Sequence, residues 1–598
     1  MGLISARAAG FNQFGTSTRT PQKHTLNTFQ YMDNLIWNRG SHSLKMGVSF
    51  SRFQYNAANF ARLQGTYTFQ DSVHFLNGLP NGATVFFGDL QAQPMPLGLR
   101  QSLVGIYLQD DFKFRPNLTF NMGVRYEFIT SPTEVAGRIG NLKTGSQLTT
   151  DQGNPYFENP SLKNFSPRVG FAWDPRGTGK FSVRGGFGLF HQQILQWCCT
   201  SSLFRSTPFA IRGDLIEGRD DALLATFPDA LKNLDENFPG AQGPSMFVVG
   251  VPKQPYLMQW SLTLQRELGA NIAATATYAG SRGVKLPRIG DDNRPPSAVD
   301  AEGRTFYPNI TAARSNPNFS NITLRVWDGT SDYHALKLGL RRRFSAGHMF
   351  QLSYQWQKSI DTGSSIAGSP RETFNDSVLA ENLHDANADR GLSSFNLAKA
   401  FSANWGVELP FGSGRRYGAG ATGIVGKLIE GWQINGILNL QSGAPQFISG
   451  FSRATCTQCS NIKATIKDGF EVPNDQSPDG WFIADIATIS DEDYPFAKPG
   501  DPGQLPAGHF GNLARNAGEG PGVATLDFSI LKNFYVGEQA KVQFRAEFFN
   551  ILNRTNFQGP VRSRGTFSGS GRISRTFGEL TETATTSRQI QFALRIEF

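Results

Sequence analysis

Long apolar runs are missing from this chain of 598 residues. No stretch of about eighteen uncharged apolar residues occurs, which excludes membrane-spanning helices. Cysteine is scarce, with four residues in two groups, Cys198-Cys199 and Cys456-Thr457-Gln458-Cys459. Neither group has a histidine or a second CxxC at zinc-site spacing. In an oxidising compartment Cys456 and Cys459 read as a small loop disulfide, with a redox or metal role as the alternative. Catalytic signatures are lacking as well: there is no G-x-S-x-G elbow, no H-E-x-x-H zinc helix and no G-x-x-x-x-G-K-[ST] phosphate loop. The histidines number eight and stand singly. Neither an enzyme nor a cofactor is expected. Residues 1–24 have no basic start, apolar core and small-residue cleavage site, so an exported chain of this kind is expected to be the latter part of a longer precursor.

Charge of one sign is not concentrated either. The net charge is +9 and the pI near 9.3, but Lys and Arg are dispersed, often singly as at Arg125, Arg184 and Arg545. Only Arg341-Arg342-Arg343 and Arg415-Arg416 cluster. Such spacing suits side chains facing a wet interior and gives no nucleic-acid footprint.

What is abundant is aromatic and glycine content, with 49 Phe and 64 Gly, and alternation. In the last eleven residues Ile590, Phe592, Leu594, Ile596 and Phe598 take every second position, so an extended strand has one apolar and one wet face. The mean hydropathy of -0.32 is compatible with spanning strands of this kind, whose two faces average out as polar. The pattern recurs in Phe120–Phe128, Phe401–Leu409, Leu44–Phe50, Phe181–Leu189, Leu336–Phe344, Phe350–Trp356, Trp432–Leu440 and Val542–Phe548. Short turns at 38–42, 115–117, 175–180, 269–271, 345–348 and 536–539 alternate with long polar connections at 55–101, 130–164, 191–256, 281–332, 359–396, 442–522 and 551–587. The stretch 410–430 is one long connection on the short-turn side.

Short turns on one side and long loops on the other predict an all-β fold, a transmembrane antiparallel β-barrel with short periplasmic turns and long extracellular loops. Its partners are outer-membrane lipid and a substrate still to be identified. With Phe598 at the periplasmic end, keeping every short turn on one side requires 321–327 to belong to the loop before Tyr333. About fifteen spanning strands then remain, the first near 27–37. Single-chain bacterial barrels have even strand numbers, so the barrel is expected to be incomplete at its N-terminus. Residues 1–24 form a loop-like outer segment and 25–598 the barrel.

Several stretches are similar to the TonB-dependent outer-membrane receptors of the Oar-like type: residues 34–47 (NLIWNRGSHSLKMG), 107–112 (YLQDDF), 164–171 (NFSPRVGF), 409–412 (LPFG), 431–436 (GWQING), 441–445 (QSGAP) and 548–557 (FFNILNRTNF). The resemblance implies a barrel of twenty-two strands preceded by a carboxypeptidase-regulatory-like β-sandwich and a plug domain with a TonB box, and of these only the later barrel is expected in this sequence. It implies coupling to the TonB complex through that plug. It also implies that the barrel-assembly machinery reads the terminal strand through Ile590, Phe592, Leu594, Ile596 and Phe598. A passive porin or a surface-exposed adhesion barrel is the alternative function.

Two further groups need weighing. Asp385 with Asp389, and Asp491, Glu492 and Asp493, could hold a divalent cation, although solvated loop charge accounts for them as well. Trp37, Trp173, Trp356, Trp405 and Trp432 fall near strand ends and read as an interfacial girdle. Trp327, Tyr333 and Trp481 stand in expected loops and are the candidate ligand contacts.

Overall fold

The computed structural model describes residues 3–5, 13–16, 22–59, 65–87, 97–195, 207–209, 211–218, 220–230, 246–269, 271–309, 311–319, 321–364, 379–450, 463–477, 479–536, 540–560, 565–567 and 571–598. All four cysteines, and so the expected Cys456–Cys459 bridge, lie outside them.

One antiparallel meander dominates. Its long strands are β1 (Gln22–Arg39), β2 (His42–Asn59), β3 (Leu97–Arg115), β4 (Leu118–Ile129), β5 (Phe165–Trp173), β6 (Phe181–His191), β7 (Tyr256–Gly269) and β8 (Ile272–Asp291). They continue as β9 (Ile322–Ser345), β10 (His348–Asp361), β11 (Lys399–Glu408), β12 (Trp432–Gln441), β13 (Val523–Val536), β14 (Ala540–Phe549) and β15 (Gln589–Glu597). Each pairs with the next in sequence. The second half of the sheet repeats the rule. Among the described residues β1 and β15 do not pair with each other, so the sheet is open between them. No helix among those residues is long and apolar enough to cross a membrane.

Register turns the alternating sequence into two faces. Val124 lies opposite Leu108 and Pro167, while Arg125 lies opposite Tyr107 and Ser166. Directly opposed residues share a face, so the apolar set runs unbroken across neighbours: Leu438 faces Ala403 and Leu526, and Phe592 faces Ala546. These side chains are outward and well exposed in Val124, Ile590, Phe592, Leu594 and Ile596. Lys45, Asp111, Asn121, Arg125 and Glu127 occupy the other face and bond one another, Lys45 Nζ to Asp111 Oδ2 at 2.6 Å and Arg125 Nε to Glu127 Oε1 at 2.6 Å. A charged lumen and an apolar belt result.

The turns on the Phe598 side are built for tight reversal. Ala346 and Gly347 have φ of 51° and 83°, the paired positive values of a type I′ hairpin. In the 174–180 turn the Asp174 carboxylate accepts from the backbone N–H groups of Gly177 and Gly179 at 3.0 and 2.6 Å. Trp37, Trp173 and Trp432 stand at the strand ends on this side, Trp405 a few residues higher, and Trp356 toward the outer boundary. Gly436 lies opposite Trp405, and a Cβ there would collide with the indole.

Strand length departs from expectation. A crossing needs about 9–11 residues, yet β1 and β2 have 18 each, β8 has 20 and β9 has 24. The expectation that 321–327 belong to the loop before Tyr333 is corrected: from Ile322 on they are the outer part of β9. They form no separate crossing, because the ladder simply continues upward, with Trp327 opposite Pro287 and Leu324 opposite Gly290. Pro287 has no N–H to give, and the register shifts beside it between Leu286 and Pro287. The loop expected at 281–332 thereby shrinks to 292–321. The first strand likewise starts at Gln22, before the expected boundary at 24. Ahead of it, Leu3–Ser5 and Phe14–Gly15 join Thr66–Thr68, Gly82–Phe87 and Ile211–Ile216 in a small separate sheet made otherwise from long-loop segments.

Candidate functional site

The long connections carry most of the molecule's buried apolar core. One cluster contains Leu97, Leu99, Ile139, Tyr156, Val249 and Trp327; another is built around Trp481, Phe482, Tyr494, Phe496 and Phe577. A third sits on the small sheet, around Tyr67 and Leu215, and a fourth around Leu142, Ile322 and Leu383. Packing of this kind makes an ordered roof at the outer end of the sheet.

Buried ion pairs tie the roof together. Arg288, near the outer end of β8, donates Nε and Nη2 to the two carboxylate oxygens of Asp328 at 2.8 and 3.0 Å. Its Nη1 reaches Asp389 Oδ2 at 3.2 Å, and Nη2 also reaches the Leu383 carbonyl at 2.8 Å. A planar guanidinium can make this fork, with donors left for the main chain. Arg515 plays a second such role, donating Nε to the Asp389 carbonyl at 2.7 Å, Nη1 to Ser364 Oγ at 3.1 Å, and Nη2 to the Asp361 carboxylate. Lys463 meets Glu381 at 2.6 Å and Arg314 meets Asp291 at 2.8 Å. Segments far apart in sequence, 288–328, 361–389, 463 and 515, are thus held by charges that are buried except at Asp328, whose carboxylate stays partly exposed.

Burial pushes the Glu381 carboxyl up to about 7 against the opposing pull of Lys463, and Asp389 is raised by burial too. For a carboxyl raised from its ordinary 4.5, the folded roof binds the proton more tightly than the unfolded chain does. The stabilisation is therefore full below 4.5 and is lost as pH rises through about 7, at about 1.4 kcal/mol per unit across that window. Amide exchange over 379–389, corrected for intrinsic rates, is expected to quicken over the same interval. Glu381→Gln should flatten that dependence. An unchanged slope in the variant would assign it to another group.

A cavity of about 680 Å³ opens within the roof between Lys143, Lys253, Asp292, Asp328, Trp327 and His384. His384 Nε2 lies 3.0 Å from Asp292 Oδ1, and this partner raises the imidazole above its ordinary value. At the other end of the lumen a cleft of about 550 Å³ is lined by Lys180, Arg184, Arg341 and Arg343 with Glu267. Arg184 of β6 and Arg341 and Arg343 of β9, far apart in sequence, meet there through the ladder of strands between them.

The three aromatic candidates are not brought to one place. Trp327 is 4% exposed inside the first cluster, with its edge on the roof cavity, and Trp481 is 9% exposed in the second. The Trp481 indole N–H donates to the Glu519 carbonyl at 2.7 Å. Tyr333 stands on β9 and donates to Gln357 Oε1 at 2.9 Å. Of the acidic candidates, Asp389 is consumed by the Arg288 pair, Asp385 caps a short turn by accepting from the Asn387 N–H, and Asp491 and Glu492 offer main-chain carbonyls to Lys467. Among the described residues no group of three or more His, Cys, Asp or Glu is arranged to hold a metal. Sequence reading missed Arg288, Glu381, Lys463 and Arg515, whose spacing shows no period and no motif.

Among solved structures, the chain is similar to the outer membrane transporter YddB from Escherichia coli, with 12% identity and a TM-score of 0.48, over 96% of this chain and 54% of that one. It is similar to the siderophore receptor PirA from Acinetobacter baumannii, with 10% identity and a TM-score of 0.44, over 96% and 55%. For the ferric yersiniabactin uptake receptor FyuA from Yersinia pestis the values are 10% and 0.40, over 97% and 55%. The chain thus spans about half the length of these structures. No curated protein matches the sequence significantly. The family described as outer membrane beta barrel domain matches residues 2–591. With nearly the whole length matched, and with an apolar belt, a polar lumen and one-sided long loops on the sheet, the chain belongs to the outer membrane beta-barrel domain family and resides in the bacterial outer membrane.

Proposed function

We propose that the chain forms the wall and extracellular roof of an uptake receptor of the TonB-dependent, Oar-like type. The observation that carries this reading is the roof: seven long connections that share packed apolar clusters and are cross-linked by ion pairs of buried arginine and lysine side chains, on the outer side of a polar lumen. An ordered surface layer suits capture of a scarce or bulky substrate, whereas free diffusion needs only a pore. Further strands close the sheet between β15 and β1, whose outer edges are unpaired among the described residues. A plug domain carrying the TonB box then fills the lumen, against the basic cleft at its periplasmic mouth.

The test is twofold. Genomic sequence upstream of the Met1 codon should encode a plug and a TonB box in frame. Uptake by cells carrying the whole gene should stop when the proton gradient is collapsed. Permanent ion conductance of the assembled barrel in planar bilayers, with no gradient dependence of uptake, would favour a passive pore.

The terminal strand has its own expected result. Ile590, Phe592, Leu594, Ile596 and Phe598 lie on the apolar face of β15 and its end, at the periplasmic side. If the assembly machinery reads them, deleting Phe598 lowers the amount of protein inserted in the outer membrane of cells. Normal surface levels of the deletion would remove that role.

A further inference from the structure

The connection from β11 to β12 is the long one on the periplasmic side, and it contains a helix, Gly423–Ile429. Ile424, Val425 and Leu428 occupy one face of it by spacing and are 79%, 62% and 57% exposed. Apolar side chains this exposed on a connection of 23 residues call for a cover.

Two side chains fix where the helix sits. Lys532 lies directly opposite Trp432 on one side and Phe544 on the other, within the row of Leu526, Phe528 and Ile530 that makes the lipid-facing belt. An ammonium on that face is costly unless it reaches a polar partner. Lys532 is 2% exposed, and its Nζ donates to the carbonyls of Lys427, at 2.6 Å, and Glu430, while lying over the rings of Trp432 and Phe534. The Trp432 indole N–H donates to the Leu428 carbonyl at 2.8 Å. The free carbonyls of the helix end are therefore satisfied by two side chains of the outward face, and a cation stands at the negative end of the helix. Such bonds hold the helix against the outer wall of the barrel at its periplasmic rim, beside lipid, and not beneath the lumen.

We propose that Gly423–Ile429 is an interfacial anchor that inserts Ile424, Val425 and Leu428 among the phospholipids of the inner leaflet. The patch is continuous with the lipid belt through Trp432. Arg416, stacked on Tyr417, and Lys427 supply positive charge toward anionic headgroups. Lys532 is the positioning residue, since it pins the helix without entering the bilayer itself.

The test uses the full chain in vesicles of phosphatidylethanolamine and phosphatidylglycerol, with the four native cysteines replaced by serine. A polarity-sensitive fluorophore is placed through Ile424→Cys or Leu428→Cys, and a lipid nitroxide near the headgroups serves as quencher. Measurements are made on preparations in which a fluorophore placed through Leu438→Cys, in the belt, shows that the sheet is inserted. The 424 and 428 positions are expected to lose roughly half of their emission to the nitroxide, while Gly420→Cys keeps its emission. Lys532→Met, which leaves the belt apolar, should return both positions to water while the Leu438 signal stays quenched. Unquenched emission at 424 and 428 beside a quenched 438 would overturn the proposal. So would protection that appears in isolated outer membranes but not in vesicles, because a protein would then be the cover.

Discussion

Replacing Arg288 with alanine is expected to loosen the roof while leaving the spanning sheet intact. The guanidinium is buried and joins β8 to Asp328 on β9, to Asp389, and to the main chain of 382–383. Its removal strands the Asp389 carboxylate where water cannot replace the lost partner. Breaking a buried pair by deleting one member costs about 3–5 kcal/mol. Burial already raises Asp389 against the pull of Lys463 and Arg288, and loss of the guanidinium is expected to raise it further. Hydrogen exchange should rise over 322–328 and 379–389 and stay unchanged over 118–129 and 589–597. Arg288→Lys is expected to rescue little, since a single ammonium cannot bridge both oxygens of Asp328 and still reach Asp389. Wild-type protection of 379–389 in the alanine variant would show that the apolar clusters alone hold the roof.

Val124→Arg is the second large effect. Val124 sits near the middle of β4 on the outward face, between Leu108 and Pro167. An arginine at that depth on a lipid face costs about 2–4 kcal/mol. Its neighbour behaves differently. Arg125 faces the lumen, bonded to Glu127 and lying over the Tyr107 ring, and Arg125→Val leaves Glu127 in a wet channel. That change is expected to cost under about 1 kcal/mol. Refolding into lipid vesicles, read by heat-modifiable gel migration across a urea series, separates the two. Equal tolerance at 124 and 125 would break the assignment of faces for the whole sheet, since register carries it from strand to strand.

The spanning strands were legible because their cause is local. In Phe120–Phe128 or Ile590–Phe598 a period of two is enforced by a bilayer on one side and water on the other, so each residue's polarity reports its face. The count of about fifteen strands and the seven long connections followed from the same rule, together with the one-sidedness of the short turns. Trp432 could be placed at a strand end for the same reason. The reading of 321–327 was half right: these residues make no crossing of their own, but they are strand. Above the membrane the sheet no longer separates lipid from lumen, so alternation there carries no information about where β9 begins.

The roof was not legible, and Trp327 and Trp481 show why. Both stand in expected loops and read as candidate ligand contacts, yet both are interior residues of clusters assembled from segments distant in sequence. Arg288, Glu381, Lys463 and Arg515 are single charges among many dispersed ones, and nothing in their spacing announces that they meet.

Sequence alone therefore determined the membrane-facing architecture, from Gln22–Arg39 to the strand that ends beside Phe598, because the bilayer imposes its period on every strand separately. Tertiary structure alone decided the rest. Which loop residues pack together, which charges are buried and paired, and that Lys532 reaches down to hold a helix against the outer wall all depend on contacts between segments far apart in the chain, about a hundred residues for Lys532 and for Arg288 with Asp389. No local period records such contacts.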